Sequence, residues 1–384
     1  MDDGPKEDWD PRAPAVLDDA IAAYDRMRQE CPVAYSKYLG WSLFRHADVM
    51  RAVADHETFS NVVSSHRSVP NSMDPPEHTR YRRIIDAYFT VRQMSEFEPV
   101  CRDIADSMVD SLLAQGELEL MSGFSRPFAL RIQCAFMGWP DHLQEPLNLW
   151  VRRNHQATLA GDREVMRQLA DEFDAYIREQ LDMRRRCAAQ GPPDVTGRLQ
   201  REKIDGRVLS DEEIFSIVRN WTVGELGTIA ASVGILVHYL AEQPLLQQAL
   251  RQQPGDLPEA IDEILRIHAP LVSNRRQTTR DVEIGGRRIK AGERVSLNWA
   301  AANRDPEVFG NPDDFQPRRK REQNLLYGAG LHVCPGAPLA RMELRLLMDT
   351  LLRKTRRIAL VPHQACERAQ FPAGGFSRLP VVVS

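Results

Sequence analysis

One cysteine in this sequence stands in a pattern suited to metal or nucleophilic chemistry. Cys334 belongs to the run YGAGLHVCPG, which also contains Tyr327, Gly328, Gly330, His332 and Gly336. Glycines tolerate positive φ and let a backbone loop approach a flat ligand closely. A helical pattern follows the loop, and the positive N-terminal end of a helix favours a thiolate. The loop therefore predicts a metal ligand or a nucleophile; the alternative is a structural cysteine in a glycine-rich turn.

A second segment combines cationic side chains with a helix start. In the run DPPEHTRYRR, which begins at Asp74, prolines and Glu77 indicate the first turn of a helix. His78 and Arg82 are four residues apart and project from one face of that helix. Two such donors suit a carboxylate group. The alternative is a basic helix face exposed to water.

A long helix is predicted between Ser210 and about Gln243. Ser210 and Glu213 have the spacing of a capping box, and the apolar pattern continues to the residue before Pro244. Such a helix would be about 50 Å long, which is enough to span a whole domain. It contains the run GELGT at 224–228. The elements that position the cysteine loop are therefore expected to pack around this helix.

Together these segments resemble the cytochrome P-450 family, whose haem-binding loop has the spacing of 327–336 with Phe at the position of Tyr327. Further matches are the pair Glu263 and Arg266, and a meander between Asn303 and Arg318. The resemblance covers essentially the whole chain and is to the soluble bacterial kind. It implies a mainly α (α+β) single domain over residues 1–384 with small β-sheets, and a loose N-terminal segment at 1–14. Haem b would lie between the central helix and the helix after the cysteine.

The resemblance also implies residue roles. The axial ligand of the haem iron would be Cys334. The haem propionates would contact His78, Arg82, Arg276 and His332. The loop residues lining the haem would be Tyr327, Gly328, Gly330 and Gly336. A structural charge triad would consist of Glu263, Arg266 and Arg318. The substrate-pocket candidates are His66, Asn220, Trp221, Val223, Gly224, Leu271, Val272, Ser273 and Phe376.

The central helix departs from the family at the residues that deliver protons. Thr228 falls where the family has an alcohol, and the acid that normally precedes it is replaced by Gly227. Glu225 stands where the family usually has glycine. On a helix Glu225 and Thr228 are neighbours at i and i+3, so Glu225 is a candidate for the missing acid. A surface role or a buried pair is the alternative for this carboxylate.

The resemblance implies a haem-thiolate monooxygenase that hydroxylates or oxidatively dealkylates a medium-sized organic molecule in secondary-metabolite biosynthesis or catabolism. Electrons would come from a separate ferredoxin or flavodoxin with an NAD(P)H-dependent reductase. A basic patch for that partner is predicted from Arg80, Arg83, Arg341 and Arg345. One alternative is a peroxide-driven peroxygenase, because the acid at 227 is missing. Another is a haem-binding or sensor protein without turnover.

Composition narrows the class of protein. The 384 residues carry a formal net charge of −4, which argues against nucleic acid as the main partner. Six cysteines are scattered without CxxC spacing, and the chain begins with an acidic run. No apolar stretch reaches the roughly 18 residues of a membrane span. These features predict a cytoplasmic protein without a membrane partner.

Overall fold

The computed structural model describes residues 5–64, 67–160, 162–186 and 194–384. Fifteen α-helices occur in these ranges. They are α1 (Pro14–Asp18), α2 (Ala20–Glu30), α3 (His46–Ala54), α4 (Glu77–Asp86), α5 (Val91–Gln115), α6 (Arg126–Met137), α7 (Gln144–Ala160), α8 (Arg163–Arg186), α9 (Val195–Leu199), α10 (Asp211–Glu242), α11 (Pro244–Gln252), α12 (Leu257–His268), α13 (Trp299–Ala302), α14 (Pro306–Phe309) and α15 (Ala337–Lys354).

The strands of the described residues form small sheets. They are β1 (Val33–Ser36), β2 (Gly40–Leu43), β3 (Phe59–Ser60), β4 (Glu117–Glu119), β5 (Lys203–Ile204), β6 (Arg207–Val208), β7 (Ser273–Thr278), β8 (Val282–Ile284), β9 (Arg287–Ile289), β10 (Arg294–Asn298), β11 (Ile358–Leu360), β12 (Glu367–Arg368), β13 (Phe376–Arg378) and β14 (Pro380–Val383). The largest sheet has the order β1-β2-β10-β7-β3, and a second has the order β11-β14-β4. This helix-rich architecture with small sheets confirms the predicted fold class.

The long central helix begins at the predicted capping box. The Ser210 hydroxyl accepts from the Glu213 N–H at 3.3 Å, and the Glu213 carboxylate accepts from the Ser210 N–H at 2.7 Å. Within the described residues, α10 is the helix long and apolar enough to cross a membrane, but 61% of its most apolar window is buried inside the protein. Its apolar residues therefore form the core, together with those of α5, α6 and α15.

The N-terminal segment differs from the predicted loose segment at 1–14, of which residues 1–4 lie outside the described ranges. Residues 5–14 are not loose, because Trp9 is buried against Tyr24 and Phe44, and the Asp8 carboxylate accepts from the Tyr35 N–H at 2.8 Å. The chain around Leu17 forms the two helices α1 and α2. Asp19 leaves the helical conformation and its side chain accepts from the N–H of Ala22, which caps α2.

Candidate functional site

The loop around Cys334 is held by its own backbone. The Cys334 N–H donates to the carbonyl of Tyr327 at 2.8 Å, and Gly328 and Gly330 have φ of 71° and 67°. A Cβ on Gly330 would lie 2.7 Å from the Cγ1 atom of Val53, so only glycine lets this loop pack on α3. Gly336 has an ordinary φ of −77° and caps α15. Gly336 is therefore not needed for an ability to adopt positive φ.

The sulfur of Cys334 lies between the loop and the first turn of α15. The residue is exposed on one side. The surrounding protein raises the pKa of the Cys334 thiol through burial, while the backbone N–H groups of Gly336 and Ala337 lower it. Two N–H groups directed at a sulfur stabilise a thiolate once a metal ion or another cation faces the open side.

Two imidazoles and a guanidinium meet beside the loop. The rings of His78 and His332 are 4.1 Å apart between centroids. Both ring nitrogens of His78 and the Nε2 atom of His332 are buried without a hydrogen-bond partner among the described residues. Burial, followed by the charges of His78 and Arg276, lowers the pKa of His332 to about 3. Burial likewise lowers the pKa of Arg276 to about 10.

In this His–Arg cluster, formed by His78, Arg82, Arg276 and His332, Arg276 and the two imidazoles have no carboxylate partner among the described residues. Arg276 is 6% exposed, and its one hydrogen bond within the described part of the chain is to the carbonyl of Arg275. The nearby Asp74 carboxylate is already bonded to Ser60 and to the Asn61 N–H. Buried donors without acceptors are costly, so the cluster fits a ligand that carries carboxylates. Arg82 is already paired with Asp86 and the Leu331 carbonyl.

A buried charge triad supports the loop from behind. Arg266 is fully buried and contacts the Glu263 carboxylate at 2.8 and 2.9 Å. The third member is Arg319, whose Nε atom lies 3.0 Å from Glu263, so the prediction of Arg318 is wrong by one residue. The irregular meander directs Arg319 inward, with further hydrogen bonds to the carbonyls of Phe309 and Asn311, and leaves Arg318 exposed.

Hydrogen bonds connect this triad to the cysteine loop. Arg266 also donates to the carbonyl of Asn303 at 2.7 Å, and the Asn303 side chain accepts from the Leu325 N–H at 2.7 Å. On the other side, Arg341 of α15 pairs with Asp262 at 3.0 Å and lies 4.3 Å above the Tyr327 ring. The position of Tyr327, and with it the Cys334 N–H, is fixed from both directions.

The middle of α10 faces open space. Val223 is 47% exposed, and Gly224 and Gly227 are also exposed, although this helix is buried along most of its length. The Thr228 hydroxyl donates to the Gly224 carbonyl at 2.7 Å. The Glu225 carboxylate raises the pKa of the Cys334 thiol, so this turn of the helix lies within electrostatic range of the sulfur. A ligand can therefore be enclosed between α10 and the loop.

The cytochrome P450 family model matches residues 257–370. Over 89% of the chain, the sequence is 30% identical to the putative cytochrome P450 YjiB of Bacillus subtilis, of which 87% is covered. The chain belongs to the cytochrome P450 family. This P450 is also 30% identical to erythromycin C-12 hydroxylase of Saccharopolyspora erythraea, over 87% of the chain and 86% of that enzyme. A solved mutant of P450 EryK in complex with erythromycin B superposes with a TM-score of 0.87 at 29% identity, covering 96% of this chain and 97% of that one.

Several predicted pocket residues of this P450 pack into the protein instead. Trp221 lies in an aromatic group with Tyr88, Phe89 and Phe136, at centroid distances of 5.4, 5.3 and 6.4 Å. Phe376 is 5% exposed, stacked on His238 at 4.4 Å. Val272 is also buried in the core. Trp221, Val272 and Phe376 thus pack against neighbouring side chains, and their contact with substrate stays a prediction.

Asn220 has a different task from the one predicted. Its side chain donates to the Val69 carbonyl at 2.8 Å and accepts from the Ser68 hydroxyl at 2.9 Å. Ser216, one turn earlier on α10, accepts from the Val69 N–H at 2.7 Å. Both polar residues anchor the loop that precedes α4. His66 lies outside the described residues, and Leu271 and Ser273 are half-buried near the start of β7.

Sequence reasoning missed a buried acid on α15. Glu343 is fully buried, and its carboxyl meets that of Glu225 across the contact between α15 and α10. Burial raises the pKa of both carboxyls, and the Glu225 carboxylate raises that of Glu343 further. A signal was present in the sequence, since Glu343 interrupts the apolar stripe of the helix after the cysteine loop. Its partner could not be read from that stripe.

Proposed function

We propose that this P450 is a haem-thiolate monooxygenase that acts on a medium-sized organic molecule. In the net reaction one oxygen atom of dioxygen enters a C–H bond of the substrate and the other leaves as water, while two electrons and two protons are consumed. The observation that carries the proposal is the open sulfur of Cys334 beside the His–Arg cluster, in which Arg276 and the two imidazoles have no carboxylate partner among the described residues. A ligand with a metal ion and carboxylate groups satisfies both at once.

Each part of the site then has a defined task toward haem b. Cys334 would be the axial ligand, with its thiolate stabilised by the N–H groups of Gly336 and Ala337. The His–Arg cluster would hold the propionates, and Tyr327 with Gly328 and Gly330 would line the ring. When bound, the haem-thiolate group supplies oxygen activation. The protein supplies the ligand, the enclosure and the protons.

Thr228 and Glu225 are proposed to deliver those protons. The Thr228 hydroxyl is held by the Gly224 carbonyl on the face of α10 that borders open space. Glu225, one turn earlier, is the nearest acid along this helix to take over the role of the residue replaced by Gly227. Val223 and Gly224, with Leu271 and Ser273, remain the proposed contacts for substrate.

Several relatives suggest the substrate class. They are named erythromycin C-12 hydroxylase, mycinamicin IV hydroxylase/epoxidase and nocardicin C N-oxygenase, at 30%, 30% and 32% identity. These names describe oxidation of elaborate natural products. We infer a related role here, in which a secondary metabolite is hydroxylated or epoxidised; oxidative dealkylation follows from the same hydrogen abstraction.

Electrons are proposed to come from a separate ferredoxin or flavodoxin and its NAD(P)H-dependent reductase, in the cytoplasm. The arginines expected to recruit that partner are mostly neutralised within the protein. Arg80 pairs with Asp205 at 2.6 Å, Arg341 with Asp262 at 3.0 Å and Arg345 with Glu98 at 3.2 Å. Arg83 is exposed and has no acidic partner among the described residues. Docking is therefore expected to depend only moderately on salt concentration.

The test is an optical titration of the ferric holoprotein against a panel of natural products, followed by turnover. A compound that binds over the haem opposite Cys334 is expected to shift the Soret band to shorter wavelength. Turnover with a ferredoxin system should then give an oxygenated product that contains one atom from labelled dioxygen. Product formed efficiently from peroxide but poorly from reductant and dioxygen would instead establish the peroxygenase alternative. Absence of both activities with every spectral ligand would contradict the proposal.

A further inference from the structure

Two carboxylic acids, Glu225 and Glu343, face each other at the contact between α10 and α15. Glu343 is fully buried in the apolar face of α15, and neither of its oxygens has a donor among the described residues. Glu225 is half-buried, and its Oε1 atom is buried and equally without a donor. Two ionised carboxylates in this position would repel each other with three oxygens left unsatisfied. A single proton placed between them gives each acid a partner.

Among the described residues, the cations nearest to Glu343 along the chain are paired with other acids. Arg341 and Arg345 lie two residues to either side of Glu343; Arg341 is 3.0 Å from Asp262 and Arg345 is 3.2 Å from Glu98. On α5, burial and then the charges of Glu343 and Glu225 raise the pKa of the Cys101 thiol. On the remaining side the Glu225 charge reaches Cys334. Two buried carboxyl groups in contact with each other cannot both be ionised without a counter-ion.

We propose that Glu225 and Glu343 share one proton across the α10–α15 contact and form a proton reserve for the oxygenation reaction, with Glu225 as the donor toward Thr228 and Glu343 as its positioning residue. The proposal rests on the monooxygenase function given above. It explains why the acid is absent at Gly227 but present at Glu225: from that position the side chain reaches α15 as well as the turn that carries Thr228.

The transfer involves one proton at a time. The proton held between the carboxyls passes from Glu225, through a water molecule at the open face of Gly227, to the Thr228 hydroxyl and on to the reacting oxygen. The pair is then left with two carboxylates, which is the disfavoured state. It recovers a proton from water through the same open face before the second transfer. Electrons and dioxygen enter as in the proposed net reaction, so the pair itself is neither oxidised nor reduced.

A purely structural bridge between the helices would contain the same hydrogen bond but would not affect proton delivery. Two measurements separate the roles. The first is the infrared carbonyl band of protonated carboxyls in the ferric holoprotein, recorded in water and in heavy water. We expect a buried band whose frequency shifts in both Glu225→Gln and Glu343→Gln, because the hydrogen bond between the two carboxyls is lost, and which is unchanged in Glu212→Gln, where an exposed acid in the first turn of the same helix is replaced.

The second measurement is the coupling of reductant consumption to product, with its solvent isotope effect. Glu225→Gln is expected to lower product formation on the order of 10²-fold, to release the consumed electrons as peroxide and to enlarge the solvent isotope effect. The carbon monoxide spectrum and the melting temperature of this variant should match those of Glu212→Gln. Glu343→Gln should change the same quantities in the same direction. Glu225→Asp should recover part of the coupling.

A buried band that keeps the wild-type frequency in both glutamine variants would overturn the shared proton. A shifted band with unchanged coupling and isotope effect would leave a structural bridge and overturn the proton reserve. Failure of the proposed function gives a different result, because the wild-type protein would then lack either the thiolate-type carbon monoxide spectrum or any dioxygen-derived product, whatever the infrared band shows.

Discussion

Two buried acidic sites of this P450, one behind the cysteine loop and one between α10 and α15, differ in how many hydrogen bonds the protein provides to them. Behind the cysteine loop, Glu263 is bonded to Arg266 and Arg319 and to the backbone N–H of Gln316. Between α10 and α15, three oxygens of Glu225 and Glu343 have no donor among the described residues. The first site is complete without any ligand, as expected for a structural support. The second is the site for which we propose a shared proton.

The same contrast separates the triad from the His–Arg cluster. Arg266 uses its guanidinium fully, on Glu263 and on the carbonyls of Asn303 and Pro312. Arg276, although nearly as buried, has one backbone carbonyl among the described residues. In this protein, the arginine whose hydrogen bonds are all satisfied belongs to the structural support. The arginine whose hydrogen bonds are mostly unsatisfied lies where we propose that a ligand binds.

The largest loss of stability is expected when an arginine of the buried charge triad is removed. Arg266→Ala leaves the Glu263 carboxylate buried with one partner fewer, and should reduce the free energy of unfolding by about 3–5 kcal/mol with loss of haem. Arg319→Ala should cost about 2–3 kcal/mol. Chemical denaturation and haem content measure both. The matched control is Arg318→Ala, an exposed neighbour whose removal should change stability by less than about 0.5 kcal/mol. The reverse order of Arg318 and Arg319 would refute the assignment of the triad.

A smaller effect should separate two glycines of the same loop. Gly330→Ala places a Cβ 2.7 Å from the Val53 side chain at a φ of 67°, which should cost about 1–3 kcal/mol. Gly336→Ala has an ordinary φ, and its nearest contact would be 3.8 Å, to the Cys334 sulfur. Its denaturation midpoint in the haem-free protein should remain near that of wild type. Equal losses for the two variants would contradict the close packing of the loop on α3.

The last prediction concerns the dependence of stability on pH. Because the pKa of His332 falls from its ordinary 6.5 to about 3 in the folded protein, the unfolded chain takes up the proton first as the pH decreases. The haem-free protein should therefore lose stability progressively between pH 6.5 and about 3. His332→Gln should flatten that dependence, and haem should weaken it by bringing negative charge to the cluster. Denaturation midpoints measured at several pH values test both; stability that increases on acidification in this window would contradict the cluster.

Sequence patterns correctly predicted the features that depend on residues close together in the chain. The capping box at Ser210, the glycines of the cysteine loop and the pairing of Glu263 with Arg266 all depend on residues a few positions apart. Arg318 was predicted in place of Arg319 because the meander has no period from which to count. The roles of Asn220 and Phe376 depend on which face of an element meets its neighbours. Glu343 became informative only when α15 was seen to place it against Glu225.

The most direct test of the account is the carbon monoxide spectrum of the reduced holoprotein and of Cys334→His. The wild-type protein should show the red-shifted Soret band of a thiolate-ligated haem. The variant should lose that band, with haem still bound through imidazole or retained by the His–Arg cluster. A thiolate-type band that survives in Cys334→His would show that another residue ligates the iron and would contradict the central claim.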